Sequence, residues 1–513
     1  DIAGFGETYQ ILVKTQAVQT AGFESADEAL NEGFGEVTYE NIPWDSDSAI
    51  LGIDLRTALH YYEGNKANKI TGKVTNVIFA LNKEYPEVVE GYTGTLVDVG
   101  QDVPVNAYYV PNGTNYDIYF LATDVIYTPV DSSSLFNGMS ALVSVDTGNL
   151  DLSRTKNMDR MFYSCRKLAN MDASSWDIHS AEIMSGMFYG CSSLQSLDVS
   201  NWDVSSVTNM YCTFGGCEKL EKLDVGMWDV SNVTNMGYMF WHAYTLEELE
   251  VANWDVGNVT NFQDTFAGSP NAGDMNLKKL EVENWDVSSA TNLRDMFYSC
   301  GDLVEMDLSA WDVRNVKSVS HMFADCFNLE AVDFSGWETP NLVSMDGMFN
   351  DCRSLKTVDL SMFDTRNVRE FSQLFEACKS LETIIGLENF VTSSGHDFSE
   401  MFSGCGSLKE LDLSTFDTRQ ANIKYIAESG ASNWMFRGFL SGCSKLEKLS
   451  LSQNLSFDGD GTAVGVNVIT IPAASGIPGW DGYWYDANGN AYAPSEIPEE
   501  TAATYYAVKP ANP

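Results

Sequence analysis

Residues 197–210 read L-D-V-S-N-W-D-V-S-S-V-T-N-M, and the phrase returns as L-D-V-G-M-W-D-V-S-N-V-T-N-M at 223–236 and as L-E-V-A-N-W-D-V-G-N-V-T-N-F at 249–262. Its aromatic position can be followed through Trp176, Trp202, Trp228, Trp254, Trp285, Trp311, Trp337, Phe363, Phe390 and Phe416. The steps are 26, 26, 26, 31, 26, 26, 26, 27 and 26 residues. A fixed period in the twenties predicts a solenoid, in which one coil cannot bury its own apolar face and leans on its neighbours.

The whole unit is M-F-x-x-C-x-x-L-x-x-L-D-V-S-x-W-D-V-S-x-V-T-N-M. The spacing L-x-x-L-D-V, as in Leu194, Leu197 and Val199, is that of a leucine-rich repeat with a short strand. The S-x-W-D piece predicts a turn, V-T-N-M a second short strand, and M-F-x-x-C a single helical turn. Leu135, Phe136, Met139, Leu142, Val145 and Leu150 fit the register one period before the first tryptophan, with Met139 in the cysteine slot and Leu150 in the tryptophan slot. About twelve coils are expected, carrying one continuous parallel sheet.

This unit resembles the repeat of the BspA-like leucine-rich repeat surface proteins of bacteria. The resemblance covers roughly three-fifths of the chain. It implies an exported, cell-surface protein engaged in adhesion, and it carries over no catalytic residues.

Two flanks depart from the period. Residues 1–130 hold alternating stretches at 9–15, 73–81, 103–110 and 116–127 that predict strands, with a short helix at 54–62. Residues 458–513 resemble a β module that closes such arrays, with a hairpin turn at D-A-N-G-N. The expected division is therefore a β-rich domain at 1–130, the solenoid at 131–457 and a C-terminal β cap at 458–513.

The charge balance is 30 basic against 72 acidic residues, a net of −42. Such a field repels phosphate backbones and anionic lipid, so nucleic acid is not an expected partner. No run of about 18 apolar residues occurs, so no membrane-spanning segment is expected. The start at Asp1 reads as a product whose leader has been removed, extracellular or on the cell surface.

Nine of the ten cysteines share one slot, which Ala243 and Ser269 fill in two other units. Stacked equivalents point the same way, so reduced, buried cysteines are expected rather than a disulfide ladder. Cys212 lies outside the slot, as a free thiol. Two acidic columns run with the repeat, one from Asp172 to Asp412 and one from Asp177 to Asp417. The second is expected to close turns on backbone N–H groups. No cofactor is expected, and calcium is the one cation the columns could bridge. The aromatic column is expected in the core rather than as a platform for sugars.

The five histidines share no slot, and no catalytic motif occurs, so an enzyme is not expected. Insertions at 269–275 and 419–434 break the period and belong in loops. The second carries Arg419, Lys424, Tyr425 and Trp434, types common at interface anchors. Together with Trp480 and Trp484 near the C-terminus, these are the expected ligand-binding residues. The expected function is recognition of host extracellular proteins, glycans or neighbouring cells. Its alternative is a filament or layer subunit that pairs with itself through residues 1–130.

Overall fold

The computed structural model describes residues 53–269, 273–419, 436–455, 471–498 and 501–510. The expected strand at 9–15 lies outside them. Within them the chain is a repeat protein of short strands and little helix, with small parallel sheets.

The first elements are β1 (Ile53–Asp54), α1 (Leu55–His60), β2 (Val74–Leu81), α2 (Pro86–Gly91), β3 (Thr95–Asp98), β4 (Val105–Asn112) and β5 (Asn115–Ala122). Helix α1 starts where Asp54 accepts the Thr57 N–H at 2.7 Å, an N-cap satisfied by its own side chain. Next come β6 (Ile126–Tyr127), β7 (Ser144–Asp146), β8 (Leu150–Asp151) and β9 (Asn170–Met171). One seven-stranded sheet runs β1-β3-β4-β5-β2-β7-β9. Its β2–β7 pair is parallel, Asn76 opposite Ser144, and β7–β9 is parallel in turn. The amino-terminal sheet therefore runs without a break into the first repeats, and β2 covers what would be a bare edge.

Equivalent positions of successive units pair one on the next. Parallel bridges link Asp131, Asn157, Ile183, Asn209, Asn235, Asn261, Asn292, Ser318, Ser344, Glu370 and Asp397, each to the one before. The V-T-N-M segment is thus a ladder of single bridges rather than a strand.

The L-D-V segments pair too, as Glu305–Asp307 with Ala331–Asp333, Thr357–Asp359 with Thr383–Ile385, and Glu410–Leu413 with Lys448–Leu451. Elsewhere they make isolated bridges, such as Ser196 with Lys222. One unbroken sheet was expected; several small ones form. The reason is local: the aspartate of L-D-V turns the chain at once. Asp198 Oδ1 accepts the Ser200 N–H at 3.1 Å and its hydroxyl at 2.7 Å, which leaves only a few extended residues per unit.

The M-F-x-x-C segment is not a helical turn. Met158, Arg160, Phe162 and Ser164 donate their N–H groups to Ile183, Ser185, Met187 and Tyr189 of the next unit, at 2.7–2.8 Å. The intervening Met161, Tyr163 and Cys165 donate back three residues. Alternate N–H groups can point outward only if residues enter the left-handed region. Arg160 (φ 54°), Ser164 (φ 58°), Cys212 (φ 58°) and Tyr238 (φ 59°) do so. Residue-type periodicity does not report this backbone choice.

The core runs along the units as one apolar cluster from Leu55 to Ala507. Its spine is a column of phenylalanines, with Phe162–Phe188 centroids 5.3 Å apart and Phe188–Phe214 5.8 Å apart, each 2° from parallel. A second column is the tryptophans, Trp176 to Trp285, spaced 5.7–6.5 Å. From Trp202 on, each indole N–H finds a carbonyl one unit back, as Trp202 to Ala173 at 3.0 Å, Trp228 to Val199 at 3.1 Å and Trp311 to Val282 at 2.9 Å, whereas Trp176 donates to the Thr147 hydroxyl at 2.9 Å. These rings are at most 4% exposed, so no sugar can lie on them.

All nine slot cysteines are buried and unpaired. Each donates its S–H to the carbonyl of the phenylalanine in the unit before, as Cys165 to Phe136 at 3.1 Å and Cys443 to Phe402 at 3.2 Å. The slot thus uses sulfur as well as small volume. Burial pushes the thiols up, Cys165 to about 12, so they stay protonated and inert. Reductant should leave the melting temperature unchanged. Cys326→Ala should cost only about 1 kcal/mol, since Ala243 already fills this slot. Melting curves with and without reductant, and of the variant, check both.

At the far end Lys448–Leu451 pairs antiparallel with Ala503–Tyr506, which meets the hairpin of Trp484–Tyr485 and Ala491–Tyr492. The hairpin turns at D-A-N-G-N, where Asp486 accepts the N–H groups of Asn488 and Asn490, both at 2.9 Å.

Candidate functional site

Of the residues expected to meet a ligand, Lys424, Tyr425 and Trp434 lie outside the described residues. Arg419 is exposed and makes a two-point pair with Asp417, Nε to Oδ1 at 3.0 Å and Nη2 to Oδ2 at 2.6 Å. Arg314 with Asp312 and Arg366 with Asp364 repeat the same pair. Arg419 is therefore part of the turn chemistry of the repeat. Trp484 is fully buried, its indole donating to Pro472 O at 3.0 Å, and so packs in the core of the end module. Trp480 is half-buried against it at 5.7 Å. At the edges of the insertion at 269–275, Ser269 and Gly273 exchange N–H···O bonds of 3.0 and 2.9 Å.

The acidic columns are occupied by the chain. Asp172, Asp198, Asp307, Asp359 and Asp412 in the first column each accept the N–H two residues on. In the second, Asp203, Asp229, Asp286 and Asp364 do the same. Asn209, Asn235 and Asn261 make a third such turn per unit. Among the described residues no group of three or more His, Cys, Asp or Glu side chains is placed to hold a metal ion.

Side chains gather elsewhere, on the outward positions of the turn segment that carries M-F. Tyr163, Tyr189 and Trp241 follow the M-F pairs of three units. Their rings form a row, Tyr163–Tyr189 at 4.9 Å and Tyr189–Trp241 at 6.1 Å and 4° from parallel. The second step spans two units. It closes because the unit between carries Gly215, where a Cβ would come within 3.1 Å of the Tyr189 ring. Across from this row stand Arg160, Tyr211, Cys212 and Tyr238. Tyr238 meets Tyr211 at 5.5 Å and Trp241 at 6.0 Å, both edge to face. Arg160 sits 6.0 Å from the centre of the Tyr163 ring. Ser185 and Gly186 complete a cleft of about 370 Å³.

The cleft shares a backbone cost with the rest of the array, where Asp264, Asp295 and His321 hold the same left-handed slot. Arg160, Cys212 and Tyr238 hold the left-handed slot that Gly186 holds without strain. A side chain there costs about 1–2 kcal/mol. Burial pushes the Cys212 thiol up to about 12, and the neighbouring His242 down to about 4, so the first is no nucleophile and the second carries no charge near neutrality. A larger hollow of about 570 Å³ lies beside α1, but its Arg56 bonds Ser133 and its His60 bonds Thr71 and Leu135.

Beyond Tyr238 the same columns turn acidic. Gln263 Nε2 donates to the Tyr238 hydroxyl at 2.7 Å. Burial first, and Asp295 second, push the Asp264 carboxyl up to about 6. His321 Nδ1 lies 3.7 Å from Asp295 and 3.6 Å from Asp346, too far for hydrogen bonds. Asp295, Glu370 and Asp397 are also raised, chiefly by burial.

The turn acids behave oppositely. Asp172, Asp203, Asp229 and Asp307 are held below the ordinary carboxylate value, first by serine hydroxyls. A raised carboxyl stabilises the fold below its unfolded value and loses that contribution as pH climbs through its folded one. A lowered carboxyl contributes above its unfolded value and is lost as pH falls through its folded one. The Asp264 contribution is therefore full near pH 4 and lost by about pH 6, the contribution of the turn acids is lost below about pH 4, and His242, held neutral by burial, works against Asp264 over the same range. Relative to Asp264→Asn, the parent should lose stability between about pH 4 and 6. Calorimetry of both from about pH 3 to 9 checks this, and a difference between the two that stays constant from about pH 4 to 6 would contradict it.

The cleft residues were not singled out from the sequence. The signal was present in the residue after each M-F pair, aromatic at 163, 189, 241 and 298 and small or polar at most other units.

No helix among the described residues is long and apolar enough to cross a membrane. No curated protein matches the chain. One family model matches four overlapping segments, 129–197, 156–279, 271–387 and 356–429, which together cover more than half of the chain. Overlapping matches at this spacing are what a repeat produces. On this match the chain belongs to the family described as Mycoplasma protein of unknown function, DUF285.

Proposed function

We propose that this is a non-catalytic recognition protein of the bacterial exterior, a BspA-like leucine-rich repeat solenoid, secreted or displayed on the cell surface. In this reading residues 1–130 start the array, 131–457 are its coils and 458–513 cap it. It acts like an adhesin on host extracellular proteins, glycans or neighbouring cells. The observation that carries the reading is the aromatic cleft. Its walls set a row of stacked rings, Tyr163, Tyr189 and Trp241, against Arg160, Tyr211 and Tyr238 on turns tied unit to unit. Tyrosine, tryptophan and arginine are the types that anchor interfaces. The stacked units supply rigidity, so little is lost in ordering the surface on binding.

The alternative, copies assembling end to end, needs an open strand edge. At the C-terminal end that edge is taken by Ala503–Tyr506.

Beads coated with the full chain should adhere to at least one of immobilised matrix proteins, saccharides or cultured cells. Beads carrying Trp241→Ala should adhere about tenfold less. Equal adhesion by the two proteins would remove the cleft from the function, and no adhesion to any surface would remove the function.

A further inference from the structure

Resting on the recognition reading, we infer that the cleft between the Tyr163–Tyr189–Trp241 row and Arg160, Tyr211 and Tyr238 binds a ring of a neutral saccharide.

Charge narrows the ligand first. Arg160 lines the cleft and disfavours a cation. Asp159, 4.0 Å from Arg160, and the net charge of −42 disfavour an anion. A neutral ligand meets neither penalty. Chemistry narrows it again. Four tyrosines, a tryptophan, a serine and an arginine line the space, so apolar ring surface alternates with groups that donate and accept hydrogen bonds. A purely apolar anchor would leave those polar groups unpaired as it displaced their water. A sugar ring presents C–H faces to aromatic rings and hydroxyls to the polar groups.

Size narrows it a third time. About 370 Å³ is at the small end of ligand sites, room for a ring or two of a chain and too little for a helix. Finally, the space is preformed. The walls stand on turns tied unit to unit, with Arg160 N to Ser185 O at 2.8 Å and Cys212 N to Gly237 O at 2.9 Å. A side chain at Gly186 would crowd Arg160, its Cβ 3.3 Å from Cγ.

The test is calorimetric titration of the full chain with cellohexaose, maltohexaose, chitohexaose and mannohexaose, and with hexagalacturonate as the anionic comparison. At least one neutral hexasaccharide should bind saturably and better than hexagalacturonate. Its affinity should fall about tenfold or more in Trp241→Ala and in Tyr211→Ala. Tyr211 is 37% exposed, so its variant should fold even if the tryptophan variant does not, and melting curves verify both. Binding that both folded variants retain would overturn the inference, as would no binding by any neutral hexasaccharide or a preference for hexagalacturonate. If no sugar binds while an immobilised extracellular protein is held and released by Tyr211→Ala, the recognition reading stands and the cleft serves a protein. If neither binds, both readings fall.

Discussion

Trp311→Ala should lower stability by about 3–5 kcal/mol, and the loss should spread to the neighbouring units. The indole is 1% exposed, and its N–H meets Val282 O at 2.9 Å. Truncation opens a cavity and orphans a buried carbonyl, two costs that add. Trp311→Phe separates them. The slot already takes Phe363, Phe390 and Phe416, all buried, so this variant should lose about 1 kcal/mol, chiefly the hydrogen bond. Urea unfolding followed by far-ultraviolet circular dichroism reads both midpoints. Equal losses from the two variants would mean that the hydrogen bond, not the packed ring, holds the slot.

Gly336→Ala should be as damaging, at about 3 kcal/mol or more, although it adds one methyl group. A Cβ at this position would overlap the backbone carbonyl oxygen of Ser309 in the unit before. Backbone cannot rotate aside as a side chain can. The equivalent residue one unit earlier is Ala310, so the slot itself accepts a methyl group. Two residues before Gly336, Phe334 packs edge-on against Trp337 at 4.6 Å and Phe363 at 5.4 Å. Ala310→Gly is the control and should change stability by less than about 1 kcal/mol. A Gly336→Ala protein that melts like the parent would show that the units slide freely past one another.

The period, the apolar slots and the turn acids were legible because each is a matter of residue type at fixed spacing. Leu197, Trp202 and Cys191 had to be buried since no single coil can bury them, and Asp203 had to turn the chain since its carboxylate reaches the N–H of Ser205. Strand β2 was legible from alternation, but its parallel pairing with β7 was not, because register between distant segments leaves no local mark. The left-handed turns were missed for the same reason. Arg160 and Tyr238 carry no sequence sign of positive φ, unlike Gly186, and that backbone choice gathers the aromatic side chains on one face. Trp484 is buried, since an aromatic residue near a chain end signals packing as readily as binding.

Recognition through the cleft is the central claim, and a side-by-side binding panel tests it most directly. The parent protein and the double variant Tyr211→Ala/Trp241→Ala would be immobilised at equal density. Neutral and anionic oligosaccharides and purified extracellular matrix proteins would be passed over both. At least one ligand should be held by the parent and lost from the variant. Ligands held equally by both, or by neither, would contradict the claim.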